Sequence, residues 1–258
     1  KKTELNSRQI DYAQKTEGAA RSLLGLLNDI LDLSKAEAGK ILLDPHPFAL
    51  DHVLRDLSVI LSTNVGSKPV EVLFDVAPSV PKELVGDAMR LQQVLLNLAS
   101  NAIKFTERGE VVLRIEALQN SATTTTLRFS VRDTGIGIAP ENQARIFSGF
   151  TQAEASTTRR FGGTGLGVAI SQRLVNLMGG QLELTSALGE GSCFFFTVTL
   201  PLAAHVQKKL PPRPQSNTAS WPVLVVDDNP TALEIIARQC ESLGWQVDLA
   251  TSGAEALA

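Results

Sequence analysis

Apolar positions in the first forty residues recur with helical spacing. They are Ile10, Ala13, Ala20, Leu24, Leu27 and Leu31, at intervals of three, four and seven residues. This spacing predicts one long amphipathic helix from about residue 4 to residue 40, with Gly39 as its stop. We favour a helix of a helical bundle, because the stripe lies outside any compact α/β unit. A helix that packs on its own domain is the alternative.

Strand and helix patterns alternate from residue 41 to residue 202. The strand-like stretches, rich in β-branched residues, are VEVLFDV, EVVLRIEAL, TTLRFSVRD, GQLELTSA and SCFFFTVTL. Helical periodicity covers the segments near 50–61, 87–104, 140–147 and 165–178. Two pairs of strands follow each other directly, which predicts antiparallel neighbours in a mixed sheet. The pattern indicates an α/β sandwich and not a doubly wound parallel sheet.

Composition changes after residue 202. Residues 203–221 are rich in proline and small polar residues, as linkers are. A short apolar strand then ends in Asp227 and Asp228, and a helix, a second strand and the start of another helix follow. This order predicts the β-α-β opening of a further, parallel-sheet domain. The chain is therefore divided into 1–40, 41–202, 203–221 and 222–258.

Composition and charge exclude several classes of protein. Hydrophobic residues make up 43% and charged residues 20% of the 258 residues, as in ordinary globular proteins. The net charge of −3 gives no reason to expect a nucleic-acid partner. Cys193 and Cys240 form no metal or disulfide pattern, and no apolar run reaches the roughly 20 residues that span a bilayer. We expect a cytoplasmic piece of a longer protein, and leave open whether that parent is anchored in the inner membrane.

A cluster of glycines indicates a phosphate ligand. The stretch RRFGGTGLGVAI, residues 159–170, has four glycines within six residues and then turns helical. Glycines supply positive φ and unobstructed N–H groups beside a helix N-terminus, where phosphates bind. Val168 after Gly167 excludes a P-loop, which needs Lys and then Ser or Thr. The spacing GGxGxG also differs from the dinucleotide fingerprint.

Three polar residues share one face of the helix LQQVLLNLASNAIKF. Asn97, Asn101 and Lys104 stand at i, i+4 and i+7, opposite an apolar face suited to a sheet. An amide oxygen suits Mg²⁺, and an ammonium suits phosphate. The alternative is a solvated helix face.

Two further segments flank this chemistry. Asp133 ends a strand before Gly135 and Gly137, where its carboxylate can accept a hydrogen bond from an exocyclic amine; a capped turn is the alternative. The stretch between 147 and the glycines is a loop of about fifteen residues, long enough to be a lid. Within it Arg159 or Arg160 can reach a phosphate, unless both are simply solvated.

In this order the segments resemble the ATP-binding domain of sensor histidine kinases. NLASNAIKFT, DTGIGI, IFSGFTQAE and GGTGLGVAIS resemble the N, G1, F and G2 boxes, and GEGSCFFF resembles the closing signature. The resemblance covers residues 1 to about 202 and implies a Bergerat-type α/β sandwich that binds ATP and Mg²⁺. Ser148 and Gly149 stand where that family usually has Glu-Pro, which implies looser lid geometry.

The resemblance also implies roles for individual residues. Asn101 would hold Mg²⁺, Asp133 the adenine amine, and Asn97 and Lys104 would act in catalysis. Nucleotide contacts would come from Gly135, Gly137, Arg159, Arg160, Gly163, Thr164, Gly165, Leu166 and Gly167, besides Asn101, Lys104 and Asp133.

The two ends of the chain resemble other parts of a hybrid kinase. The first helix resembles the second helix of the dimerisation and phosphotransfer hairpin, whose histidine-bearing partner helix the chain does not contain. His46, His52 and His205 stand in ordinary surface contexts. We therefore expect no autophosphorylation, an acceptor histidine from the same or a sister protomer, and a homodimeric parent.

Residues 222–258 resemble the opening of a flavodoxin-like receiver domain, with Asp227 and Asp228 as its acidic Mg²⁺ pair. This implies relay of the phosphoryl group to an aspartate of the protein's own receiver or of a separate response regulator, as in two-component signalling.

Two other functions remain to be weighed. Gyrase-like ATPases share the fold, with a glutamate general base four residues before the metal asparagine, where this chain has Asn97. An amide cannot accept a proton at neutral pH, which favours a kinase. A degenerate, non-catalytic scaffold is the third candidate, and binding of Mg-ATP would argue against it.

Overall fold

The computed structural model describes residues 6–37, 41–147, 165–203 and 222–258. Helix α1 spans Ser7–Glu37, as the apolar spacing predicts. Its leucines Leu23, Leu24 and Leu27 are more than half exposed. An uncovered apolar stripe of this kind suits a bundle helix, and that role stays a prediction. Across the described ranges, no helix is long and apolar enough to cross a membrane.

A five-stranded mixed sheet forms the centre of the molecule. Its strands are β2 (Val70–Val76), β4 (Gly109–Asn120), β5 (Thr124–Asp133), β6 (Leu182–Ala187) and β7 (Gly191–Pro201). They lie in the order β2-β4-β5-β7-β6. Only β2 and β4 are parallel; β4 with β5, and β6 with β7, are the antiparallel neighbours that the sequence predicts.

Helices cover one face of this sheet. They are α2 (Leu50–Val65), α3 (Ala88–Phe105) and α5 (Gly167–Leu177). Alternate strand residues meet them in one core, in which Phe129 and Phe196 stack with their ring centroids 5.2 Å apart. The predicted α/β sandwich is confirmed. The other sheet face, called here the outer face, carries the remaining residues of each strand.

Two local features differ from the sequence prediction. Strands β1 (His46–Ala49) and β3 (Glu83–Gly86) form a small antiparallel sheet that their four-residue lengths did not reveal. The helix predicted over 140–147 is wrong in extent. It is one turn, α4 (Pro140–Gln143), followed by a 3-10 turn at Arg145–Phe147. Neither piece contains a fully buried residue, and Ile146 and Phe147 contact the core only from partly buried positions, so little packing is available to extend the helix.

The last described range is a small β-α-β unit, called here the C-terminal unit (residues 222–258). It contains β8 (Pro222–Val226), α6 (Pro230–Ser242), β9 (Gln246–Ala250) and α7 (Gly253–Ala256). Strands β8 and β9 are parallel, as predicted. The Asn229 side chain begins α6 by accepting hydrogen bonds from two N–H groups of its first turn.

Candidate functional site

Helix α3 carries the polar face that the sequence singled out. Asp87 caps its N-terminus by accepting a hydrogen bond from the Arg90 N–H at 3.0 Å. Its buried face includes Leu91, Val94, Leu95, Leu98, Ala102 and Ile103. Because this face is fixed in the core, Asn97, Asn101 and Lys104 remain half-buried at its margin. The structure thus confirms the helical placement that the i, i+4, i+7 spacing predicts.

The C-terminus of α3 is capped by a lysine that sequence reasoning missed. Lys68 Nζ donates hydrogen bonds to the carbonyl oxygens of Ile103, Lys104 and Thr106 at 2.8, 3.1 and 3.3 Å. A cation here satisfies carbonyls that have no helical partner and balances the negative end of the helix dipole. Lys68 therefore fixes the turn of the helix that follows Asn101.

Asp133 lies at the end of β5 and is only 6% exposed. Its Oδ1 accepts a hydrogen bond from the Gly135 N–H at 2.8 Å. Burial raises the pKa of the Asp133 carboxyl, whereas N–H groups of Gly135 and Ser192 and the charge of Arg132 act in the opposite direction. These backbone donors hold the carboxylate in one orientation, which is what an adenine-reading acceptor requires.

The loop after Asp133 closes against the end of α3. Ile136 N–H donates to the Phe105 carbonyl at 3.3 Å, and a Cβ on Gly135 would stand 2.5 Å from that same oxygen. Only glycine permits this approach. Phe105 lies one turn beyond Asn101, so the loop brings the Asp133 strand end to the part of α3 that carries Asn101 and Lys104.

Gly137 is needed for both its conformation and its small size. Its φ is +67°, and a Cβ would overlap the Ala187 carbonyl. We expect Gly137→Ala to lower the free energy of unfolding by about 3 kcal/mol and to weaken nucleotide binding, because the loop must move away from β6. Gly189→Ala is the matched control, since Gly189 has φ +83° but open space around it. Its expected cost is only about 1 kcal/mol. Urea titrations with equal midpoints for the two variants would refute the close-approach argument.

The start of α5 packs against Asn97. Gly165 has a φ of +70°, Leu166 is 2% exposed, and a Cβ on Gly167 would overlap the Asn97 amide. Asn97 Nδ2 donates to the Oγ of Ser171 at 2.7 Å, and Ser171 is buried. Asn97 therefore ties the first turns of α5 to the middle of α3. The catalytic role predicted for it stays a prediction, and Ser171 is a partner that sequence reasoning missed.

A cleft of about 270 Å³ opens beside this contact. It is lined by Gln93, Leu96, Asn97, Ser100, Gly167, Ile170 and Ser171. Asp133 does not line it, so the cleft is the part of the candidate site between α3 and α5. An apolar hollow of about 180 Å³ near Met178 and Phe48 has no residue of the candidate site in its lining.

Asn101 and Lys104 offer complementary groups at the end of the polar face. Within the described ranges, the Asn101 amide makes no hydrogen bond, so its oxygen is available to a hard cation such as Mg²⁺. Burial lowers the pKa of Lys104, whose Nζ lies 4.8 Å from the centroid of the Phe105 ring. A partly desolvated ammonium group is stabilised by a nearby polyphosphate.

Several predicted site residues lie outside the described ranges. These are Arg159, Arg160, Gly163 and Thr164, together with the predicted lid and His205. His46 and His52 are exposed, and His46 Nε2 lies 2.8 Å from an oxygen of Asp44. Both are the surface histidines that the sequence predicts.

The acidic pair lies in the loop after β8. Asp227 Oδ1 accepts a hydrogen bond from the Asn229 N–H at 2.8 Å, and Asp228 is exposed. In the described part of the chain, no three His, Cys, Asp or Glu residues cluster as a metal site would require. The assignment of Asp227 and Asp228 to Mg²⁺ stays a prediction.

Two polar side chains that carry no sequence signal hold the loop after Asp133. Ser186 Oγ accepts from the Ile138 N–H at 2.8 Å, and Gln143 Nε2 donates to the carbonyls of Ile138 and Ser186 at 3.0 and 2.9 Å. Gly191, in contrast, belongs to the closing signature GEGSCFFF that the sequence analysis identified. A Cβ there would overlap the Asp133 carbonyl.

This fold and site define an ATP-binding class of protein. Residues 86–204 match the family described as Histidine kinase-, DNA gyrase B-, and HSP90-like ATPase. The sensor histidine kinase GacS of Pseudomonas protegens is 41% identical over 95% of this chain, and the signal transduction histidine-protein kinase BarA of Escherichia coli is 42% identical over 80%. The chain spans about a quarter of these relatives, 26% and 22% of their lengths. The chain carries the ATP-binding catalytic domain of a histidine kinase.

Solved structures agree with the fold. The structure of full-length ShkA in complex with AMPPNP is similar over 99% of this chain and 51% of the ShkA chain, with a TM-score of 0.79 and 33% identity. The histidine kinase ThkA in complex with the response regulator TrrA matches 78% of this chain and 53% of its own, with a TM-score of 0.55. At 23% identity this second likeness bears on the fold alone. The Bergerat-type expectation is confirmed.

Proposed function

We propose that this chain binds Mg-ATP and transfers the γ-phosphoryl group to a histidine on a helix outside the chain, with onward relay to a receiver aspartate. One observation carries the proposal. The loop after Asp133 closes on the end of α3, which brings the strand end with its buried carboxylate to the part of the helix that carries Lys104, with its desolvated ammonium, and Asn101, whose amide has no hydrogen bond among the described residues. Adenine, metal and phosphate each find a matching group there.

The proposed roles follow from the chemistry of each group. Asp133 accepts the hydrogen bond of the adenine amine, and Asn101 supplies an oxygen ligand to Mg²⁺ while the triphosphate supplies others. Bound Mg²⁺ would neutralise charge that develops on the transferring phosphoryl group. Lys104 pairs with a phosphate, and the backbone at Gly165 and Gly167 approaches the phosphates at the start of α5.

The remaining predicted contacts belong to this proposal as well. Arg159, Arg160, Gly163 and Thr164 would complete the phosphate side of the site from the predicted lid.

The contact of Asn97 supports a kinase over an ATPase. Its amide is engaged with Ser171 and cannot take a proton from water at neutral pH. Without a general base, bound ATP is not hydrolysed and remains available to a protein nucleophile. Phosphoryl transfer then depends on positioning and charge stabilisation.

The experiment is phosphotransfer in trans. The chain is incubated with Mg²⁺, γ-labelled ATP and a histidine-bearing hairpin from a related sensor kinase. We expect acid-labile label on the hairpin, none on the chain, and negligible phosphate release when the hairpin is omitted. The matched control is a hairpin whose acceptor histidine is replaced by Gln. Steady phosphate release without an acceptor would instead identify an ATPase, and nucleotide binding without either activity would identify a scaffold.

A further inference from the structure

Helix α6 of the C-terminal unit is buried on two faces. A β-α-β unit buries one stripe of its helix against its own strands, and Leu233, Ala237 and Cys240 form such a stripe. Ala232 and Ile235 are also buried, at 6% and 8% exposure, yet they lie on a different side of the helix. The two strands of the unit cannot cover both sides, so another surface covers the second.

The second side of α6 faces the ATP-binding domain. Arg238 lies on it, and its Nη1 is 2.9 Å and 3.1 Å from the two carboxylate oxygens of Asp75 on β2. Arg114 of β4 also reaches Asp75, with its Nε 2.6 Å from Oδ2. The Asp75 side chain is 1% exposed. A buried carboxylate is costly unless it is paired. The burial of Asp75 therefore depends on Arg114 of the ATP-binding domain and on Arg238 of the C-terminal unit.

Further hydrogen bonds surround this ion pair. Gln239 Nε2 donates to the Val76 carbonyl at 2.7 Å. Asn229 Nδ2 donates to Glu71 Oε2 at 2.7 Å and to Glu110 Oε2 at 3.3 Å. Thr231 Oγ1 lies 3.1 Å from Glu110 Oε1. The donors come from the N-cap, the first turn and the third turn of α6, and the acceptors from neighbouring strands β2 and β4.

An apolar residue of the outer face is buried at the same place. Val112 alternates along β4 with Glu110 and Arg114, so its side chain stands on the outer face and not in the core. It is nevertheless only 3% exposed. Burial of a valine on this face is expected where another element lies over the sheet.

We propose that the outer face of β2 and β4 is a docking surface for the chain's own C-terminal unit, with Asp75 as its anchor. The surface presents acidic groups at Glu71, Asp75 and Glu110, to which Asn229, Thr231 and Arg238 of the C-terminal unit donate. Docking also fixes the loop that holds the acidic pair, because Asn229 follows Asp228 directly. This inference is independent of the nucleotide chemistry at Asp133.

The test is hydrogen–deuterium exchange of the full chain. A substitution is made in the ATP-binding domain or in the C-terminal unit, and the exchange rate is measured in the other of the two. Asp75→Asn is expected to speed exchange of residues 230–242 at least about fivefold, because opening of the docked helix becomes easier. Arg238→Gln is expected to speed exchange in β2 and β4. The matched controls are Asp56→Asn and Arg55→Gln on α2, both at exposed positions.

Two results would overturn the proposal. One is an exchange rate within about twofold of the unsubstituted chain, both for residues 230–242 in Asp75→Asn and for β2 and β4 in Arg238→Gln, which would show that no docking occurs. Protection that rises with protein concentration would assign the contact to a second copy of the chain. Nucleotide titration of each variant separates these results from misfolding, since neither substitution lies in the candidate site. Arg238 is 40% exposed and tolerates Gln without a cavity.

Discussion

Asp133→Asn is expected to weaken Mg-ATP binding about 100-fold while the chain stays folded. The carboxylate accepts backbone hydrogen bonds and, in the proposed complex, the adenine amine as well. An amide has a single oxygen. Its NH₂ group must therefore face either a backbone N–H or the adenine amine, which sets donor against donor in a buried place. Titration calorimetry measures the loss, with Asp56→Asn on exposed α2 as the control.

Stability should move in the other direction. Burial raises the folded-state pKa of Asp133, so the ionised form costs stability above that pKa. Asp133→Asn removes this cost, and we expect the free energy of unfolding at neutral pH to be unchanged or higher. Acidification through the raised pKa should stabilise the nucleotide-free chain through this group and weaken ATP binding. A variant that lost stability and binding together would show that Asp133 is structural.

Asn101→Ala is expected to lower phosphoryl transfer to the supplied hairpin at least about 100-fold at fixed Mg²⁺. The reason is the loss of an oxygen ligand that no other described group engages. Binding of ATP without metal should change little, because the adenine contact is elsewhere. The measurement is the initial rate of hairpin labelling across a Mg²⁺ series.

Asn176→Ala is the matched control for Asn101, since Asn176 is an exposed asparagine on α5. We expect it to retain the rate of the unsubstituted chain. If Asn101→Ala kept both the rate and its Mg²⁺ dependence, the metal would be held by other groups.

Much of the fold could be predicted because periodicity reports burial directly. The alternation in VEVLFDV and SCFFFTVTL specified strands with one core face, and consecutive strand patterns specified antiparallel neighbours. On α3, the i, i+4, i+7 spacing of Asn97, Asn101 and Lys104 fixed one polar face in advance. Four-residue strands such as β1 carry too few alternations to be recognised.

The supporting contacts could not be predicted, because they join residues distant in sequence. Ser171 meets Asn97 across two helices, and Lys68 caps α3 from the loop before β2. Neither pairing has a local spacing that would reveal it. In the sequence Asp75 is simply one polar position of a strand pattern. Its ion pair with Arg238 of the C-terminal unit is seen only in the structure. Tertiary partners of polar groups are thus the part of the site that requires coordinates.

Titration of the full chain with Mg-ATP and, separately, with Mg-GTP tests the adenine-and-metal site most directly. We predict saturable ATP binding at one site per chain and GTP binding at least about tenfold weaker, because guanine presents a carbonyl where adenine presents its amine. Absence of binding heat with ATP, or equal affinity for the two nucleotides, would contradict the site built around Asp133.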